Sequence, residues 1–169
     1  MNQLLSVNCV FVAALHRLYG PDFFAHILKQ LMSEFLKNHN SEDAASDACT
    51  TRVKNILNCL LHWFLFESID CSLLFGVIKM LLQSFREHDI EVLIFLLHNI
   101  GLQLRKKEPE ALKNIIDLFT QKKNSYLAES KLTQHTEDEQ AERKAKERKL
   151  NFLGLELADI KNNKGNVTL

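Results

Sequence analysis

Apolar residues recur at three- and four-residue spacing along most of the chain, a period that predicts successive amphipathic helices. The first, about Gln3 to Tyr19, is apolar almost all round and stops at Gly20. A helix with so little polar face needs cover on several sides, so further helices are expected upstream of it. Pro21 opens a second helix carrying Phe24, Ile27, Leu28, Leu31, Met32 and Phe35 on one side, which makes a tight antiparallel hairpin at Gly20-Pro21. Residues 38–50 are polar and turn-rich and read as an exposed loop. The helical spacing resumes with Val53, Ile56, Leu57, Leu60, Leu61 and Phe64. Ser68 or Asp70 can cap the next start, and Leu73, Leu74, Val77, Ile78, Leu81, Leu82 and Phe85 follow as a broad stripe.

The stretch from Phe85 to Leu112 holds the clearest punctuation. A break at Glu87-His88-Asp89 places Asp89 where its carboxylate can accept the free N–H groups of a first helical turn. Ile90, Leu93, Leu96, Leu97, Ile100 and Leu104 then form one apolar stripe. Gly101, inside that stripe, marks either a close approach by another helix or a glycine tolerated near a fraying end. Arg105, Lys106 and Lys107 complement the negative end of this helix. Pro109 and Glu110 restart the chain as a sixth helix with Leu112, Ile115, Ile116 and Phe119.

Helix pairs of this length, joined by short turns and each unable to bury its face alone, are what an alpha-solenoid requires; a compact bundle is the alternative. The expected organisation is helical repeats over residues 1–124, a charged linker or exposed helix over 125–149, and a closing helix with a tail over 150–169. In the middle segment an acidic block precedes Arg143, Lys144, Lys146, Arg148 and Lys149. In the last, Leu150, Leu153, Leu157 and Ile160 share a face that should dock back on the array.

Composition narrows the function classes. The 169 residues are 46% hydrophobic with 5 Gly and 2 Pro, enough for one core and too few turn residues for a many-stranded sheet. The segment Leu4 to Leu15 lacks a basic leader and is too short to span a bilayer, so a buried helix is the better reading. Cys9, Cys49, Cys59 and Cys71 form no C-x-x-C pair and read as buried reduced thiols of the cytosol or nucleus. Zero formal net charge hides an asymmetry. Residues 1–100 hold 7 Lys and Arg against 10 Asp and Glu, and residues 101–169 hold 14 against 11, so any nucleic-acid contact should favour the later part. His16, His26, His62, His88 and His98 lie at helical positions with no H-E-x-x-H, phosphate loop or paired carboxylates. No catalytic residue, metal ligand or cofactor is therefore assigned. Trp63, beside Phe64 and Phe66, is either core or an exposed partner anchor, with core the better reading.

Two segments, FREHDIEVLIFLLHNIGLQLRKKEPEALKNII and, after a charged spacer, RKLNFLGLELADIKNNK, resemble the final repeats of the middle domain of eukaryotic initiation factor 4G. There a helix ending I-G-x-x-L precedes a segment of the form R-I-R-F-M-L-x-x-L-x-x-L-K. VNCVFVAALHRLYGP and DIEVLIFLLHNIGLQLRK are similar to the nucleolar branch of that family. The resemblance covers most of Val7 to Lys164. The chain departs from the pattern where Asn151 replaces the second Arg and Leu153 the Met. It resembles the later repeats only, without the second, downstream helical domain of the nucleolar proteins.

The resemblance implies an all-α, HEAT-like or armadillo-type alpha-solenoid of antiparallel helix pairs that acts as a non-enzymatic scaffold. It implies binding of a DEAD-box RNA helicase of the initiation factor 4A type and of pre-ribosomal RNA, in the nucleolus, during maturation of the small ribosomal subunit. No membrane and no small-molecule substrate enter. A cytoplasmic or nuclear relative acting in translation initiation or pre-mRNA splicing is the alternative within that class, and a direct RNA-binding solenoid without a helicase is the second hypothesis. Inter-helix turns are where a solenoid presents its contacts. The partner-binding candidates are Glu87, Asp89, Arg105, Lys106 and Lys107, with Lys161, Asn162, Asn163 and Lys164. The RNA-binding candidates are Arg143, Lys144, Arg148 and Lys149. Asp89 has a competing role as a cap, and Arg105 to Lys107 as dipole partners.

Overall fold

The computed structural model describes residues 3–41, 43–132 and 137–163. Among these the chain is all-α: α1 (Gln3–Tyr19), α2 (Pro21–His39), α3 (Asp47–Leu65), α4 (Cys71–Ser84), α5 (Glu87–Lys107), α6 (Pro109–Leu132) and α7 (Glu137–Lys161). The chain divides into two compact units, the division falling inside α4 after Leu74.

In the first unit α1, α2 and α3 pack on one another. Gly20 turns the chain between α1 and α2 at φ +84°, a backbone conformation that L side chains rarely adopt, and its N–H closes α1 on the His16 carbonyl at 2.9 Å. Pro21 follows at the first position of α2. Trp63 is core: it is buried, its ring meets Phe24 edge-on at 5.0 Å, and its Nε1–H donates to the Cys9 carbonyl at 3.2 Å. The Cys9 thiol donates to Cys59, and this bond together with burial pushes the Cys9 pKa up, while accepting it pulls Cys59 down. All four cysteines are free thiols. The outer face of α1 leaves Leu4, Val7, Phe11 and Leu18 exposed.

The segment read as a loop over residues 38–50 is shorter than its composition implies. α2 continues to His39 and α3 begins at Asp47, because Ser46 caps α3 by accepting the Cys49 N–H at 3.3 Å. Ala44 and Cys49 are buried, and the Cys49 thiol donates to the Asn38 carbonyl at 3.2 Å, so part of this polar stretch is packed. Of the two candidate caps for α4, Asp70 takes the role, its Oδ1 accepting the Cys71 N–H at 2.7 Å.

The second unit is organised by α5, which packs chiefly on α7 and also on α6. Every residue of its expected stripe is buried, as are Leu112, Ile115 and Phe119 of α6 and Leu150, Leu153, Leu157 and Ile160 of α7. Each such side chain contributes about 1.5–3 kcal/mol relative to exposure. Gly101 marks a close approach by α7 and not a fraying end: a Cβ there would overlap Cδ1 of Ile160 and lie 2.9 Å from its Cγ1. α6 carries on to Leu132 and α7 is unbroken from Glu137, so the charged run and the closing amphipathic segment share one helix.

Candidate functional site

α5 begins at Glu87, with Arg86 at the cap position, and this corrects the reading of Asp89 as the cap. Asp89 is the third helical residue, and its carboxylate reaches back to accept the Arg86 backbone N–H at 3.0 Å. The same oxygen accepts Arg86 Nε at 2.9 Å and the Ser84 hydroxyl at 2.7 Å, and His88 Nε2 lies 3.3 Å from the other. Asp89 is 0% exposed, so its oxygens are spent inside the fold and present nothing to a partner.

Two residues from separate candidate sets meet nearby. Lys149 of α7 bridges Glu87 at 2.9 Å and Glu91 at 3.3 Å on α5. Burial opposes the Lys149 charge, but the hydrogen bonds and charges of the two carboxylates outweigh it and hold its pKa above the ordinary lysine range. One turn earlier Lys146 lies over the rings of Tyr126, at 4.4 Å, and Phe85, at 5.4 Å. Burial lowers its pKa, with only partial relief from Glu87 and Asp89. Arg143 pairs with Glu147 at 2.9 Å. Of the RNA-binding set, Lys144 and Arg148 are the exposed members.

The other end of the unit is basic. α5 ends at Arg105, Lys106 and Lys107, and α7 ends at Lys161, followed by Asn162 and Asn163; all but the half-buried Arg105 are exposed. Each helix leaves its last carbonyls without intrahelical partners, and bases at that end answer the helix dipole. Packing of α7 on α5 brings the two sets together, since Arg105 and Lys161 line one cavity of about 220 Å³ with Lys113, Leu112, Ile116 and Asp117. Ile116 and Lys161 also line a larger, mainly apolar groove of about 600 Å³ between α6 and α7. Lys164 lies outside the described residues.

Lys113, lining the smaller cavity, and Lys123, lining the groove, carry no signal in the sequence pattern. Spaced ten residues apart on α6, they stand out only once α7 lies alongside. The part-buried His98–Glu156 contact, 3.2 Å between α5 and α7, is likewise invisible in the linear order. Among the described residues no group of three or more His, Cys, Asp or Glu side chains is placed to hold a metal ion. No helix among them is long and apolar enough to cross a membrane.

Comparison with known proteins agrees with this architecture. A family model, the MIF4G domain, matches residues 3–164. Curated relatives include Suppressor of glycerol defect protein 1 of Schizosaccharomyces pombe, 29% identical over 116 residues, which cover 69% of this chain and 15% of that protein. Nucleolar MIF4G domain-containing protein 1 of Homo sapiens is 28% identical over 117 residues, 68% of this chain and 13% of that protein. Its Drosophila melanogaster homolog is 27% identical over 130 residues, 77% and 15% respectively. The chain thus spans about a seventh of the length of the curated relatives it matches. No solved structure matches it. The family's domain is a HEAT-like helical repeat, the fold class seen here. With the match running through all seven helices, the chain belongs to the MIF4G domain family.

Proposed function

We propose that this chain is a non-enzymatic scaffold that binds a DEAD-box RNA helicase of the initiation factor 4A type and RNA in nucleolar pre-ribosomal RNA processing for the small subunit. The observation that carries the reading is the convergence of Arg105 and Lys161 on one basic edge in a chain of the MIF4G family whose relatives are named nucleolar. Asp89 is buried and Glu87 is paired with Lys149, which leaves Arg105, Lys106, Lys107, Lys161, Asn162 and Asn163 as the proposed contacts among the described residues, with Lys164 beyond them. A rigid surface that binds one arrangement of the helicase lobes better than another shifts their equilibrium by its differential affinity, and no chemistry in the scaffold is needed. A tenfold preference corresponds to about 1.4 kcal/mol.

The test is capture of a purified helicase of that type by the chain and by its Arg105→Glu/Lys106→Glu/Lys107→Glu variant, with binding of labelled RNA measured in parallel. Loss of helicase capture with RNA binding unchanged supports the reading, and the opposite result sinks it. A second reading, direct RNA binding without a helicase, draws on the exposure of Lys144 and Arg148. It requires affinity that falls steeply with salt, by a log–log slope of about −0.7 per phosphate neutralised on a single strand. Location of the tagged protein in nucleolus or cytoplasm separates ribosome assembly from a translation role.

A further inference from the structure

The groove between α6 and α7 has a form that the basic edge alone does not explain. Both helices pack on α5, and along their open halves an apolar channel of about 600 Å³ lies between Ile116 and Phe119 on one side and Leu155 and Leu157 on the other. Leu155 at its edge is 65% exposed, so the channel is continuous with apolar surface open to a partner. Gly154 keeps the channel open: a Cβ there would meet only Lys123 Nζ and Phe119 Cε1, both at 3.7 Å, so a side chain fits without displacing backbone. Lys123 stands at one rim, its Nζ donating to Asn151 Oδ1 at 2.9 Å. Lys161 stands at the far end, where the adjoining cavity adds Arg105 and Lys113 against the lone carboxylate of Asp117. The channel itself runs from Ile116 to Asn124 on α6 and from Asn151 to Lys161 on α7, about 12 and 15 Å of helix, room for two to three turns of a docked helix.

We infer that this groove is a docking site for an acidic amphipathic helix of a partner protein, its apolar face in the channel and its carboxylates on Lys123, Lys161, Arg105 and Lys113. Apolar floor and basic rim select that occupant together. Helix-in-groove recognition needs a dry channel for anchors spaced i, i+3, i+4 and i+7. Like-charged rims repel a basic helix and steer an acidic one. A nucleic acid would find phosphate partners at the rim, but among Ile116, Leu155 and Leu157 its bases would meet a single aromatic ring, that of the largely buried Phe119, in place of a series of stacking surfaces. This inference deepens the scaffold reading and rests on it, by giving the chemistry of one bound segment.

The probe is a fluorescein-labelled 18-residue peptide with leucines at helical spacing and glutamates elsewhere, titrated with the whole chain and read by anisotropy. A lysine-for-glutamate version and an 18-mer oligouridine are the comparators. The acidic peptide is expected to bind at least about tenfold more tightly than the basic one, with affinity falling as salt rises. Gly154→Leu, which fills the channel, should weaken it by about tenfold or more. Lys123→Glu/Lys161→Glu should do the same while leaving the floor intact, and this surface variant keeps the test valid if Gly154→Leu disturbs folding, which circular dichroism reports. Equal binding of both peptides overturns the inference. So does acidic-peptide binding insensitive to both variants, as attachment to the exposed face of α1 would give, or oligouridine binding that Gly154→Leu abolishes. A chain that captures the helicase but ignores the acidic peptide refutes the groove alone; one that binds neither fails both readings.

Discussion

Gly101→Ala adds one methyl group at the tightest approach in the second unit, and its effect can be worked from two opposing terms. In an exposed helix interior the change stabilises by about 1 kcal/mol through backbone entropy. At Gly101 the new Cβ overlaps Cδ1 of Ile160 and comes within 2.9 Å of Cγ1, and Ile160 is 4% exposed, leaving little room to retreat. Overpacking by a methyl costs about 1–3 kcal/mol, so the net change is a destabilisation of up to about 2 kcal/mol. Ile160→Ala alone should cost about 2–5 kcal/mol as a buried truncation. In that background the overlap is gone, and Gly101→Ala should become stabilising by about 1 kcal/mol. Gly76→Ala supplies the reference for the entropy term, because a Cβ at Gly76 on α4 meets nothing within 4 Å. The assay is urea unfolding followed by far-UV circular dichroism, where 1–2 kcal/mol moves the midpoint by roughly 0.5–1 M. The signature is a sign reversal with a coupling energy of about 1–3 kcal/mol. Equal effects of Gly101→Ala in the two backgrounds, within about 0.5 kcal/mol, would refute the close-approach argument.

Three further outcomes follow from particular contacts. Asp89→Ala should destabilise by about 2–3 kcal/mol, because it removes the acceptor for Arg86 N–H, Arg86 Nε and Ser84 Oγ; chemical denaturation measures it, and a change below about 0.5 kcal/mol would sink the assignment. The folded pKa of Lys149 is raised, so its bridge to Glu87 and Glu91 contributes fully below the unfolded lysine pKa and fades as pH rises through the higher folded value. The melting temperature of the wild type should therefore fall toward that of Lys149→Met only in the alkaline range above the ordinary lysine pKa, and parallel curves across that range would contradict it. Gly20→Ala should cost about 1 kcal/mol by thermal melting even though nothing crowds the site, since φ of +84° strains any L side chain; an unchanged or raised melting temperature would count against the turn.

Much of the helical order was legible in the letters, because helix boundaries and buried stripes depend on local chemistry. The stripe from Ile90 to Leu104, the Leu150 to Ile160 face and the Gly20-Pro21 turn need only spacing, capping preference and backbone freedom, and each is where the periodicity placed it. The loop at residues 38–50 misled because small polar residues such as Ser46 serve equally in loops and as caps, and only the seating of Cys49 and Ala44 distinguishes them.

Which of the candidate contact residues keep their charges for a partner depended on their neighbours, close in sequence for Asp89 and distant for Glu87 and Lys149. Glu87, Asp89 and Lys149 carry full charges in the linear order, yet partners on the same or a facing helix use those charges internally. Arg105 and Lys161 became one edge only because α7 lies on α5, and Lys113 and Lys123 line cavities only because α7 lies alongside α6. By itself the sequence determined which segments are helices, which faces are apolar and which family they resemble, since these follow from local periodicity and residue type. Tertiary structure decided which charges remain available and where a groove opens, because pairing and void space belong to helices brought together from distant parts of the chain.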